Sequence, residues 1–228
     1  MPGSPAISLK RAARLTAKKH REAERMFLAE GEAVIRESTE PAIRLFDGPG
    51  EIRRLSALTT STGSIGVFSF LDVSTDELLS ATPRIVLLHG VQDPGNVGTI
   101  VRSAHAFGAG VALSRGCADL YNPKTVRATM GSIFHAPVAR ELDSAAFLQD
   151  AKSAGFATVA AVPASGDAPG SLSADKLVFV IGAEGAGLPE SLVDACEIRV
   201  TIPSRAASLN AAIAASILLY EAYMRVLP

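Results

Sequence analysis

From Arg84 onward, short apolar runs alternate with helical segments, and that alternation restricts the fold more than any other feature of the chain. The run Ile85, Val86, Leu87, Leu88 is unbroken by polar residues, the pattern of a strand buried on both faces. It empties into His89-Gly90-Val91-Gln92-Asp93-Pro94-Gly95, and a helical segment follows over 96–107. Residues 111–113 and 158–162 repeat the strand pattern, helices are expected over 123–130 and 144–153, and Val138 falls in an edge strand. Pro123 suits a first helical turn, where its missing N–H costs nothing. A further buried strand over 177–181 opens into Gly182-Ala183-Glu184-Gly185-Ala186-Gly187. A short strand over 198–202 and a long helix over 208–226 close the chain. The expected architecture is α/β with a mostly parallel sheet over 82–228, preceded by a small α+β unit over 1–81.

That first unit reads as a helix over 10–26, a short strand at 27–29, a helix from 32, a strand over 42–46, a turn at 47–50, a helix over 51–58 and a strand over 64–70. It ends in the polar stretch 72–82. A chain of 228 residues that is 48% hydrophobic and 20% charged buries a core without disulfides or a structural metal. The net charge of −1 excludes an overtly basic nucleic-acid binder, but residues 1–26 are locally basic. They hold Lys10, Arg11, Arg14, Lys18, Lys19, Arg21 and Arg25 against Glu22 and Glu24. By charge alone this is equally a polyanion-steering patch or a solvated helix face.

Cys117 and Cys196 build no disulfide framework and have no metal-ligand spacing, so a reducing, cytoplasmic setting without a metal is expected. The opening lacks the apolar core of a secretory signal, although its basic, Ser-containing start also suits an organellar presequence. The apolar stretch 211–220 is too short for a bilayer, which needs about 20 residues. No membrane association is expected.

Three turn-forming loops, at 90–98, 182–189 and 203–207, each follow a strand. In an open parallel sheet, ligands lie beyond the carboxyl ends of the strands, where such loops gather. Neither the dinucleotide fingerprint GxGxxG nor the phosphate-cradling GxxxxGK[ST] is present, which weakens nicotinamide and ATP readings.

The loops and their flanks carry a resemblance. Residues 93–104, Asp-Pro-Gly-Asn-Val-Gly-Thr-Ile-Val-Arg-Ser-Ala, resemble the first signature of SpoU-type RNA ribose methyltransferases, the TrmH class of the SPOUT superfamily. Residues 179–188, Phe-Val-Ile-Gly-Ala-Glu-Gly-Ala-Gly-Leu, resemble the second. Ile202-Pro203, then Ser208-Leu209-Asn210 with the apolar residues after it, resemble the third, here with a short connecting loop that lacks glycine. More weakly, Lys18-Lys19-His20-Arg21-Glu22 and Phe27-Leu28-Ala29-Glu30-Gly31 resemble the start of that family's small RNA-binding domain.

The resemblance implies a C-terminal trefoil knot, S-adenosyl-L-methionine as cofactor, rRNA or tRNA as substrate, and a homodimer whose active site is completed across the interface. It assigns Arg102, Asn96, Glu184, Ser208 and Asn210 to catalysis. Gly182, Glu184, Gly187, Leu188, Ile202, Ser208, Leu209 and Asn210 are assigned to the cofactor. Arg102, flanked by Ile100, Val101 and Ala104, is expected to be partly buried and to stabilise a developing alkoxide, since a guanidinium is a poor base. Glu184 is expected to orient substrate or Arg102, and Ser208 to cap the last helix. His105 reads as structural. Base methylation within the same superfamily, or RNA binding without catalysis, are the competing readings.

Overall fold

The computed structural model describes residues 7–56 and 63–225. The small unit contains α1 (Leu9–Arg14), α2 (Lys18–Glu24), β1 (Met26–Glu30), α3 (Glu32–Arg36), β2 (Arg44–Phe46), α4 (Pro49–Leu55) and β3 (Ile65–Ser69). Its antiparallel sheet has the order β1-β3-β2. The single helix expected over 10–26 is two helices. Ala17 is extended at φ −98, and the Arg21 guanidinium takes the carbonyls of Leu15 and Thr16 that a continuous helix would use. Residues 57 and 58 of the helix expected over 51–58 lie outside the described residues.

The larger sheet is built from β4 (Arg84–His89), β5 (Gly110–Ser114), β6 (Val138–Leu142), β7 (Ala157–Ala161), β8 (Leu177–Gly182) and β9 (Ile198–Val200), in the order β6-β5-β4-β8-β7-β9. Every pairing in it is parallel, and β6 is an edge strand as expected. Its helices are α5 (Thr75–Ala81), α6 (Pro94–Ala106), α7 (Pro123–Ala128), α8 (Ser144–Ser153), α9 (Glu190–Asp194) and α10 (Ala211–Met224). Along β4, Val86 and Leu88 join the core that holds residues of α6 and α10, while Ile85 and Leu87 join the core that holds residues of α5 and α8. Both faces are therefore covered, which explains the unbroken apolar run. Chain order reverses between β4 and β8, so their following loops open side by side.

The polar stretch 72–82, in which the first unit is expected to end, contains α5. Ser74 and Glu77 cap it reciprocally, and Leu78 is buried in the core of the large sheet. Phe27 and Phe68 of the small sheet pack on Tyr121 or Phe134 of the large unit, so one core runs through both. The last helix begins at Ala211 rather than 208, and residue 226 lies outside the described residues. Residues 162–172 are fastened on one side to β9 and its extension, by Asp167 N–H to the Arg199 carbonyl at 2.8 Å and Thr201 N–H to the Asp167 carbonyl at 2.9 Å. Beyond α10, Arg225 returns to donate to the Gly170 carbonyl at 2.7 Å.

Candidate active site

Asp93 begins α6: its side chain accepts from the Asn96 backbone N–H at 2.9 Å, and Pro94 occupies the first turn. That N–H, above all, holds the Asp93 carboxyl below its ordinary range. Capping fixes the first turn of α6 and aims the Asn96 side chain across the mouth of β8. There the loop after β8 folds back on itself, with Gly187 N–H donating to the Ala183 carbonyl at 2.8 Å and Gly187 at φ +68. Gly182 is required by this return, because a Cβ there would stand 2.3 Å from the Gly187 carbonyl carbon. Glu184 projects from the tip.

The third contribution comes from the start of α10. Asn210, not Ser208, is its N-cap: its Oδ1 accepts from Ala212 N–H at 2.9 Å and Ile213 N–H at 3.2 Å. Its Nδ2 donates to Asn96 Oδ1 at 3.0 Å and to Glu184 Oε1 at 2.8 Å. Asn96 Nδ2 donates to the same Glu184 oxygen. The three side chains close a triangle in which both amides are committed and Glu184 Oε2 is left without a hydrogen bond among the described residues. Two amide donors on one carboxylate oxygen pre-set its direction without a cation. An Asn210→Ala protein is expected to lose about 1 kcal/mol of stability from the cap alone. Thermal unfolding checks this, and Asn210→Ser, which restores a capping oxygen without setting a second carboxylate against Glu184, is expected to recover most of it.

Other predicted residues lie around the triangle without joining it. Gly182, Leu188, Ile202 and Leu209 are half-buried, with Leu188 and Ile202 against the two cores, while Gly187 and Ser208 are exposed. Arg102 is exposed, against expectation, and has no hydrogen bond or ion pair among the described residues. Helix geometry explains both facts. Ile100, Val101 and Ala104 are buried on other faces of α6, and six residues carry Arg102 about 9 Å along the axis and roughly 120° round from Asn96. Glu184 is held by the two asparagines and has no hydrogen bond or ion pair with Arg102, which it was expected to orient if not the substrate. His105 stacks on His135, ring centroids 4.5 Å apart, and shares a hydrogen bond with Ser132; burial first, then His135, lowers its pKa.

The SpoU rRNA Methylase family model matches residues 83–220. The chain belongs to that family. Within it, the chain is 34% identical over 150 residues to the Bacillus subtilis 23S rRNA (guanosine(2553)-2'-O)-methyltransferase RlmP. The match takes in 64% of this chain and 60% of that protein, so it spans about three fifths of the curated relative. Among solved structures, the AdoMet-bound rRNA methyltransferase of Sinorhizobium meliloti is 31% identical, with a TM-score of 0.84 over 96% of this chain and 95% of that one. The SpoU methyltransferase AviRb of Streptomyces viridochromogenes, in complex with AdoMet, is 26% identical with a TM-score of 0.84, covering 95% and 97%. The SpoU architecture of a parallel six-stranded sheet behind a small antiparallel unit is the one found here.

Much of the positive charge on α1, α2 and the Arg25 that follows is paired within the chain. Arg21 is 2% exposed and pairs with Asp119; Arg11 pairs with Glu24, Lys18 with Glu141 and Arg25 with Asp72. Cys117 and Cys196 are unpaired. Among the described residues, no group of three or more His, Cys, Asp or Glu could hold a metal, and no helix is long and apolar enough to cross a membrane.

Proposed function

We propose that this chain transfers a methyl group from S-adenosyl-L-methionine to a ribose 2′-hydroxyl of rRNA or tRNA, as a homodimer in a reducing compartment such as the cytoplasm. The observation that carries the reading is the hydrogen-bonded union of Asn96, Glu184 and Asn210, side chains drawn from three separate signatures. The cofactor-bound relatives share this fold across nearly the whole chain.

The residues present suit that cofactor. Nothing within 4 Å would meet a side chain at Gly185 or Gly187, so the backbone of this loop is open to a ligand, and Leu188, Ile202 and Leu209 are half-buried. Gly182, Gly187, Leu188, Ile202, Ser208 and Leu209 would hold the adenosine and methionine portions, mostly through backbone groups. When bound, S-adenosyl-L-methionine supplies a methyl group already activated on a sulfonium. The chain's task is then alignment and charge. The fixed Glu184 carboxylate turns its free oxygen toward the ribose and holds it in line. Arg102, uncommitted and permanently charged, takes a phosphate and stabilises the developing alkoxide, whose proton would pass to phosphate or water.

Arg102 lies away from its own chain's triangle, so we assign it to the site of a second copy. The surface for that copy is α10, where Ile213, Tyr220 and Met224 are 52%, 46% and 46% exposed along one stripe. The trefoil knot fits the fastening of residues 162–172 to β9 and to Arg225. On the small unit, Lys10, Lys19, Arg53 and Arg54 are exposed and have no carboxylate partner among the described residues, which suits them to an RNA backbone.

The deciding measurement uses methyl-labelled S-adenosyl-L-methionine and unmodified total RNA. Label is expected at positions resistant to alkaline cleavage. Label on bases would replace the ribose with a base as target, and absence of cofactor binding at millimolar concentration would leave an RNA-binding homologue.

A further inference from the structure

The small and large units are joined by residues 70–74, between β3 and α5. Each backbone N–H of that segment is engaged. Phe70 donates to the Arg25 carbonyl at 2.9 Å, Val73 to the Val138 carbonyl at 3.0 Å and Ser74 to Glu77 Oε2 at 2.8 Å. Leu71 and Asp72 both donate to the Tyr121 hydroxyl, at 2.6 and 2.8 Å, and that hydroxyl donates in turn to Asp72 Oδ1 at 2.8 Å. Tyr121 is fully buried and stacks on Phe70 with centroids 3.9 Å apart.

Arg140 closes this arrangement from the edge of the large sheet. It lies over the Phe70 and Tyr121 rings and donates in a fork to Glu22 of α2 at 2.8 and 3.0 Å. Its Nε stands 3.2 Å from Asp72. Arg25 pairs with the same carboxylate at 3.2 Å. A register shift in the β5–β6 pairing, with Glu141 at φ +58, accompanies the turn of this edge toward α2, and Lys18 reaches Glu141 at 3.0 Å. A bulge re-aims side chains in this way, and a planar fork stacked on rings resists rotation as a single point charge does not.

We propose that Arg140 and Tyr121 are positioning residues that lock the 70–74 segment, holding the small unit in one orientation so that RNA carried on it presents its ribose to the Asn96–Glu184–Asn210 triangle. The inference rests on the methyl-transfer reading. Its consequence is a separation of binding from presentation. Unlocking the segment leaves the RNA-contacting cations and the cofactor loops intact, but misplaces the reacting oxygen.

Three full-length variants test it: Arg140→Gln, Tyr121→Phe and the conservative Arg140→Lys. Hydrogen–deuterium exchange is expected to rise roughly tenfold at Leu71 and Asp72 in the first two, while exchange in β4 and β8 stays at the parent rate. With total RNA as probe, kcat is expected to fall about ten- to a hundredfold, because displacement of about 1 Å has that effect, with KM for RNA and cofactor affinity held within about threefold. Arg140→Lys is expected to recover part of kcat. A purely structural role would instead lower the unfolding temperature and cofactor binding together. Two results overturn the proposal: unchanged exchange at 71–72 in both variants, or raised exchange there with kcat within about twofold of the parent. If the parent protein itself transfers no methyl group, the functional reading fails, and the exchange measurement still decides whether the lock exists.

Discussion

Arg21→Ala is expected to cost roughly 3–5 kcal/mol of folding stability, the typical penalty for removing one partner of a buried ion pair. The Arg21 side chain is 3% exposed and Asp119 10%, so truncation strands a carboxylate where water barely reaches. The Leu15 and Thr16 carbonyls also lose their donors, which sit at 2.7 and 2.8 Å. Asp119 further anchors the turn into α7 by accepting from Tyr121 N–H at 2.9 Å, so the damage spreads toward the inter-unit contact. Urea unfolding of the parent, Arg21→Ala and the double variant Arg21→Ala/Asp119→Ala gives the measurement. The double variant is expected to be less destabilised than the sum of its single changes, since neither charge is left alone. A loss below about 1 kcal/mol in Arg21→Ala would mean that the pair is solvated and that Arg21 belongs to a surface patch after all.

This residue shows where sequence reading reaches its limit. Arg21 sits in a run whose composition is basic, and nothing local distinguishes it from Lys19. Its partner lies 98 positions away, and the partners of Lys18 and Arg25 lie 123 and 47 away. Charge pairing across such distances is a tertiary fact. The strands are the opposite case. Ile85–Leu88 and Val178–Ile181 are buried on both faces, so an apolar run records their environment directly, as in β4 and β8. The N-cap of α5 is equally local, a Ser74-x-x-Glu77 pair visible in the chain but set in the polar stretch where the first unit was expected to end and no helix was assigned.

The site itself divides the same way. Asn96, Glu184 and Asn210 were identifiable by resemblance, yet their mutual hydrogen bonds follow from the reversal of strand order between β4 and β8 and from the return of α10 beside α6. Arg102 illustrates the reverse error. Apolar neighbours in sequence implied burial, but on a helix they occupy other faces, and the residue between them is exposed. Asn210 took the cap that Ser208 was expected to supply, and one side chain therefore serves both helix and triangle. Glycine was the most informative of the local signals, because its use at Gly182 answers to backbone, not to composition.

Gly182→Ala is expected to abolish cofactor binding more completely than any change to a side chain that points into the site. The added Cβ would lie 2.3 and 2.4 Å from the carbonyl carbon and oxygen of Gly187 and 2.6 Å from the Leu188 nitrogen, all backbone atoms with no rotamer to yield. The loop after β8 must lift, at an overpacking cost of about 1–3 kcal/mol or more. Lifting breaks the 2.8 Å bond from Gly187 to Ala183 and carries Glu184, which lies between them, away from Asn96 and Asn210. Affinity for S-adenosyl-L-methionine is expected to fall at least about 100-fold, or roughly 2.7 kcal/mol, read by calorimetric titration. Gly185→Ala is the matched control. It meets nothing within 4 Å and is strained only by its φ of +81, so its effect is expected to stay near 1–2 kcal/mol of local stability. Parent-like affinity in a folded Gly182→Ala protein would show that the cofactor is held elsewhere, and with it the assignment of Glu184 to the ribose would fall.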